Sequence, residues 1–393
     1  MILNKIKELS SQYADEFIEV RHHLHANPEL SYKEFETSKF IQSKLSEWGI
    51  SYKILADTGV VGIIEGNNPN KRIIALRADM DALPINEENN ISYISKSAGI
   101  MHACGHDVHT TCLLGAAKIL QQLKSEWEGT IKLIFQPGEE KNPGGASLMI
   151  KEGVLDNPKP EAILALHVHP GMEVGKFSFR KGMVMASADE IYITIKGKGG
   201  HAAAPHSTVD TILIASHLIV ALQQIVSRNN DPFNPSVLSI TSFQGGNTTN
   251  VIPSEVKLMG TFRAMDEKWR FKAHELIKKI AIELVHSMNA DIDIKVDVGY
   301  PFVLNNDKLT DSVITKAKEY AGEENISETE LRMGAEDFAF YSHIIPACFY
   351  RLGAGNVAKG ITSSVHTPTF NIDERAIENG IGMVAWLAIQ AGK

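Results

Sequence analysis

At 393 residues, with 44% hydrophobic and 22% charged residues, the chain is long enough for two domains with ordinary cores and too apolar for a disordered segment. The formal net charge of −8 (39 basic against 47 acidic residues), without any conspicuous basic run, argues against nucleic acid as a partner. The opening Met1-Ile-Leu-Asn-Lys-Ile-Lys-Glu-Leu9 is too charged for a signal peptide, and the most apolar stretch, Thr211–Leu222, is twelve residues long with His217 inside it, too short for a bilayer span. Three cysteines, Cys104, Cys112 and Cys348, give no disulfide framework and their odd count fits a reducing compartment, so a cytoplasmic protein without a membrane partner is expected.

In chain order, Ile6, Leu9 and Tyr13 recur at helical spacing, and Phe35–Trp48 does likewise. Short apolar runs bounded by Gly, Pro or charge follow at Val60–Ile64, Ile73–Leu76, Ile131–Phe135 and Ile163–Leu166, the pattern of buried strands. Helical stretches lie between them, notably Thr110–Leu123 and Ala146–Glu152, so the first part predicts an α/β sheet covered on both faces, a three-layer α/β/α domain. The pattern then changes. Ile191, Ile193 and Ile195 alternate, Thr208–Ser227 is helical, Ser236–Ser242 and Val256–Phe262 read as strands, Glu267–Met288 is helical, and Ile292, Ile294, Val296 and Val298 alternate again. This β-α-β-β-α-β order is a complete α+β domain, residues 185–299, inserted into a discontinuous domain of residues 1–184 and 300–393 that ends in a helix, Glu374–Gln390.

Five segments place metal-competent groups at or near predicted strand ends, where ligands of open α/β sheets gather. Arg77-Ala-Asp-Met-Asp-Ala-Leu-Pro84 brings Asp79 and Asp81 past the strand Ile73–Leu76. His102-Ala-Cys-Gly-His-Asp-Val-His109 enters a helix with Cys104 two residues from His106, a thiolate and an imidazole at chelating spacing. A cysteine nucleophile with His106 as its base is the rival reading, although such partners are normally remote in sequence. Gln136-Pro-Gly-Glu-Glu140 follows the strand Ile131–Phe135, and of its adjacent glutamates one can bind metal while the other serves as a base. Leu166-His-Val-His-Pro170 follows the strand Ile163–Leu166 and offers two histidines, His167 and His169, of which one is expected to serve the site. His366, in Val365-His-Thr-Pro368, is unremarkable taken alone.

Taken together and in order, these motifs resemble the aminoacylase/carboxypeptidase-type binuclear metallopeptidases, in particular their amidohydrolase subgroup, which contains hippurate hydrolase, indoleacetyl-amino-acid hydrolase and N-acetyldiaminopimelate deacetylase. Arg21-His-His-Leu-His-Ala-Asn-Pro-Glu-Leu30, Gly197-Lys-Gly-Gly-His-Ala-Ala-Ala-Pro-His206, Gly245-Gly-Asn-Thr-Thr-Asn-Val-Ile-Pro253, Met333-Gly-Ala-Glu-Asp-Phe338 and His366-Thr-Pro-Thr-Phe-Asn-Ile-Asp-Glu374 extend the resemblance over essentially the whole chain. It implies two divalent ions per chain (zinc, manganese or cobalt), with Cys104, His106, Glu140, His167 and His366 as ligands and Glu139 as general base. Asp81 matches an aspartate that orients a metal-bound imidazole. Asp79 stands where related subgroups carry a metal-binding histidine, so His106 takes over that ligation, and both aspartates enter the expected catalytic set. His201, Asn250 and Arg263 match substrate contacts of the inserted domain, which mediates dimerisation in the family. The implied activity is hydrolysis of the amide bond of an N-acyl amino acid or small peptide with a free carboxylate, by a homodimer or higher oligomer. The alternatives are an inactive metal- or peptide-binding relative and a metal-free cysteine amidase.

Overall fold

The computed structural model describes residues 1–391, which divide into two compact units. The first holds Met1–Val184, Val303–Glu330 and the residues from Asp337 onward; the second holds Met185–Phe302 and Leu331–Glu336. The division differs from the 185–299 boundary expected from sequence in that residues 300–302 and Leu331–Glu336 belong to the second unit. The backbone gives the reason: Ala186 N donates to the carbonyls of Arg332 and Gly334, at 3.1 and 3.0 Å. Such a return crossing leaves no periodicity to read.

The first unit is built on an eight-stranded sheet in the order Ser51–Leu55, Gly59–Glu65, Thr130–Gln136, Ile73–Asp79, Ala162–Glu173, Ala347–Gly355, Phe177–Phe179, Ile326–Glu328. The four strands from Thr130–Gln136 to Ala347–Gly355 are mutually parallel, and antiparallel pairings flank them, so the sheet is mixed. Successive side chains of a strand face opposite sides, yet all seven residues of Thr130–Gln136 are buried, so both faces are covered. One face carries Leu76, Leu133 and Leu164 into a core shared with the helices His106–Gln122 and Arg375–Gln390. The helix His106–Gln122 begins four residues earlier than periodicity suggested. Gly105 caps it at φ +85°, and a Cβ there would lie 2.4 Å from Val168 Cγ2, so only glycine lets the helix start press against the strand Ala162–Glu173.

The second unit has a four-stranded antiparallel sheet, ordered Ser236–Gln244, Glu255–Ala264, Asp189–Lys196, Asp291–Val298. Alternation decides its architecture. Ile191, Ile193 and Ile195 are buried under the helices Thr211–Leu222 and Glu267–Ser287, while Glu190, Tyr192 and Lys196 are exposed on the other face, giving a two-layer α+β unit. A short ribbon pairs Gly200–His201 with Val251–Ile252. The apolar helical run is longer than the twelve residues read from sequence. It continues through a π-helical turn, Ile225–Asn229, and Thr211–Asn229 is long and apolar enough by length and composition to cross a membrane. Ile214, Ala215, Leu218, Leu222 and Ile225 spend that apolarity on the core of this unit.

Candidate metal centre

The carboxyl ends of two adjacent parallel strands, the middle of a third and the start of one helix converge. Ile73–Asp79 delivers Asp79 and, two residues on, Asp81; Thr130–Gln136 leads into Glu139 and Glu140; Ala162–Glu173 carries His167; the turn into His106–Gln122 carries Cys104 and His106. His366 arrives from a distant loop at φ +62°, a strained conformation for a non-glycine residue, tied by its N–H to Ala103 O at 2.8 Å.

Of the five ligand-competent trios among the described residues, two share Cys104: Cys104 with His106 and His167, and Cys104 with Glu140 and His366, the donor atoms of each lying within 4.8 Å of one another. Cys104 Sγ lies 3.5 Å from His167 Nε2 and 3.3 Å from His366 Nε2, and His366 Nε2 lies 3.1 Å from Glu140 Oε1. His106, Glu139 and Glu140 form a further trio joining the two.

The hydrogen bonds behind these groups fix their tautomers. His106 places Nδ1 against Asp81 Oδ1 at 3.1 Å, and His167 places Nδ1 against Val168 O at 2.8 Å. With those protons on Nδ1, each ring has Nε2 available to give a lone pair to a cation, the arrangement of imidazole ligands oriented from behind. His106 Nε2 is buried without a hydrogen-bond partner, which a cation would resolve. The electrostatics agree. Hydrogen bonds to Cys104 and Glu140 push His366 up to about 10, and burial, aided by Glu140, raises the Cys104 thiol. The cluster therefore holds positive charge by proton where a divalent ion could supply it.

The two aspartates separate clearly. Asp81 Oδ1 meets His106, while Oδ2 accepts from Ser31 Oγ at 2.7 Å and from Glu140 N at 3.0 Å, so Asp81 orients one candidate ligand and anchors the backbone of another. Asp79 lies close by, its Oδ2 3.8 Å from His106 Nε2 and in a trio with His106 and His109, but its short contacts go elsewhere: Oδ1 meets His109 Nδ1 at 2.6 Å and Oδ2 accepts from Arg77 at 2.6 Å. His109, part of the metal-competent segment in sequence, spends its second nitrogen accepting from Val168 N at 2.9 Å. His109 and Asp79 thus brace the site from below. Sequence reasoning missed the rest of that brace. Arg77 donates to Gln136 Oε1 at 2.9 Å and to Asp337 Oδ1 at 2.8 Å, and Asp337 also accepts from Gln136 and from Ala146 N. Asp337 stands in the Met333–Phe338 motif, which carried no assigned role.

His201, Asn250 and Arg263 lie in the second unit. His201 pairs with Val251 across the short ribbon, and Ala202 N donates to Asn250 O at 3.0 Å, so these two are neighbours. His201 is exposed, and its Nδ1 accepts from Ala203 N at 3.0 Å, which leaves the proton on Nε2 as an outward donor. The glycines before it do not take positive φ; a Cβ at Gly199 would lie 2.6 Å from Ile252 O, so close approach alone requires glycine there. Arg263 donates through Nε to Thr261 Oγ1 at 3.1 Å.

A thiol, three imidazoles and paired carboxylates gathered at parallel strand ends define a metal-dependent hydrolase. The chain belongs to the peptidase family M20/M25/M40, whose model matches residues 75–390. It is 38% identical over 393 residues to thermostable carboxypeptidase 2 of Saccharolobus solfataricus, covering 99% of this chain and 98% of that one. It is 41% identical over 309 residues to the N-acyl-L-amino acid amidohydrolase of Geobacillus stearothermophilus, covering 78% and 83%. The Bacillus subtilis YXEP protein, a dinuclear metal-binding peptidase of the M20 family, superposes with a TM-score of 0.83 at 34% identity over 96% of this chain and 98% of that one. The chain is accordingly a metal-dependent amide hydrolase.

Proposed function

We propose that the protein hydrolyses the amide bond of N-acyl amino acids or dipeptides with a free carboxylate, using two divalent ions. The observation that carries this reading is that Cys104 is common to both trios while His106 and His167 have their Nδ1 atoms tied off behind them. One ion would be held by Cys104, His106 and His167, the other by Cys104, Glu140 and His366. Thiolate, imidazole and carboxylate donors suit zinc, manganese or cobalt. When bound, such ions lower the pKa of water and polarise a carbonyl. Glu139 accepts the proton of the attacking water and delivers it to the leaving amine. Asp81 holds His106 and the Glu140 backbone in register. Arg263 clamps the substrate carboxylate, with Asn250 as a further contact. Every position that the family resemblance assigns to ligand or base is filled, which favours an active enzyme over an inactive relative. The buried, unpaired cysteines suit a reducing, cytoplasmic setting.

The homodimer is part of the same reading. Leu213 and Val220 are 49% and 73% exposed on the outer side of the helix Thr211–Leu222, and the edge strand Ser236–Gln244 exposes Val237 and Phe243. These features support self-association through the second unit. We assign His201 to the partner's active centre as a donor to the developing oxyanion.

The substrate class is tested by comparing an N-acyl amino acid with its carboxyl-amidated counterpart. Loss of a charge-assisted pair is expected to cost about 1.5–3 kcal/mol in kcat/KM. Equal hydrolysis of acid and amide would remove the carboxylate from the account.

A further inference from the structure

The turn before the helix Phe35–Glu47 makes contacts that its sequence does not explain as folding signals. Tyr32 sits at φ +65°, a conformation unfavourable for an aromatic residue. Glu34 is a fully buried carboxylate with no cationic side chain hydrogen-bonded to it. Both costs are met in one place. Glu34 Oε1 accepts from Gly138 N at 2.8 Å and from Tyr32 N at 2.9 Å, while Oε2 accepts from Thr58 Oγ1 at 3.0 Å. The Tyr32 ring lies so close over Gly138 that a Cβ there would stand 2.2 Å from Tyr32 Cε1, and Gly138 itself is at φ +59°. Tyr32 Oη donates to Lys141 O at 2.5 Å and accepts from Gly144 N at 3.0 Å. The loop carrying Glu139 and Glu140 is thus gripped before, across and after the two glutamates. The same turn reaches Asp81 through Ser31 Oγ and is stapled beside it by Ala82 N donating to Glu29 O at 2.8 Å.

We infer that Tyr32 and Glu34 are positioning residues for the general base: together they clamp the Gly138–Gly144 loop so that the Glu139 carboxylate is held at its working position. The inference rests on the reading of Glu139 as base. The physical need is clear, since a proton acceptor must stand within hydrogen-bond reach of the proton it takes, and a misplacement of about 1 Å costs on the order of 10² in rate. The candidate ligands have supports of their own: Asp81 for His106 and Glu140 N, Val168 O for His167, and Ala103 O for the His366 backbone. Loosening the clamp should therefore slow chemistry without releasing metal. Burial, reinforced by Asp81, pushes the Glu34 carboxyl up to about 7, consistent with a group placed for its acceptor geometry and not for charge pairing.

The test uses the full-length, metal-loaded enzyme and the variants Glu34→Ala, Glu34→Gln and Tyr32→Phe. Glu34→Ala is expected to lower kcat by about 10- to 100-fold with KM and metal content near wild type, and to speed amide hydrogen exchange in residues 136–145. Glu34→Gln keeps an oxygen for Gly138 N and an amide that can pair with Thr58, and is expected to recover most of the lost kcat. Tyr32→Phe retains the ring and loses both Oη bonds, so a smaller fall in kcat with the same local exchange signature is expected even if Glu34→Ala does not fold. Wild-type kcat in Glu34→Ala, metal loss in step with activity, or failure of Glu34→Gln to recover would each overturn the inference. Glu139→Gln separates this from the reading beneath it: if that variant keeps its kcat, Glu139 is not the base, whatever the clamp variants do.

Discussion

Glu139→Gln is expected to lower kcat by about 10²–10⁴-fold while the metal content stays at that of the wild type. The substitution is nearly isosteric and removes one property, the ability to accept a proton. The amide oxygen can still accept from Asp337 N, which lies 3.4 Å from Glu139 Oε1, so the side chain need not move. Glu140 is anchored separately, its N–H donating to Asp81 Oδ2 at 3.0 Å, and its carboxylate stays beside Cys104 and His366. Metal analysis alongside steady-state kinetics checks both halves. If the variant loses metal, the two adjacent glutamates have exchanged the roles given them here.

His201→Ala is expected to reduce kcat by roughly 10²–10³, again with metal retained. Among the described residues no hydrogen bond reaches its Nε2, and Nδ1 accepts from Ala203 N, so the imidazole offers an N–H outward. A donor to a developing oxyanion acts in the transition state, which is why kcat and not metal affinity should respond. Subunit mixing decides where it acts. His201→Ala and Glu139→Gln are each expected to be strongly impaired, and if His201 serves the partner's centre, their mixed dimer contains one centre with both groups intact. Activity should reappear on mixing, in proportion to the heterodimer formed. No recovery despite demonstrated exchange would place the histidine's action within its own chain or remove it from the mechanism.

Much of the architecture could be read directly. The short apolar runs at Ile73–Leu76 and Ile131–Phe135 and the alternation of Ile191, Ile193 and Ile195 are consequences of burial on two faces and on one, and the strands lie where those patterns stand. The helix start at His106 was not readable, because it depends on Gly105 fitting against Val168, a contact between segments distant in sequence. The site divided along the same line. Cys104, His106, Glu139, Glu140 and His167 were legible through residue type and motif, His366 only through the family resemblance, and the structure brings all six together. Their supports were not. Asp337 reaches Arg77 across 260 residues, and Glu34 reaches Gly138 across 104. His109 shows the converse: it stands in a segment of metal-competent residues, and its two hydrogen bonds make it a brace. Pattern reports the chemistry that a segment can offer, whereas the tautomers and braces that select among those offers come from the packed neighbourhood.

The most direct measurement is a metal titration of the chelator-stripped enzyme, following bound metal and hydrolysis of an N-acyl amino acid together. The account predicts no turnover in the stripped protein, activity returning as binding approaches two ions per chain, and weakened binding with loss of that return in Cys104→Ala, because Cys104 is common to both trios. Full turnover by the stripped wild-type enzyme, with an acyl-thioester trapped on Cys104, would contradict it.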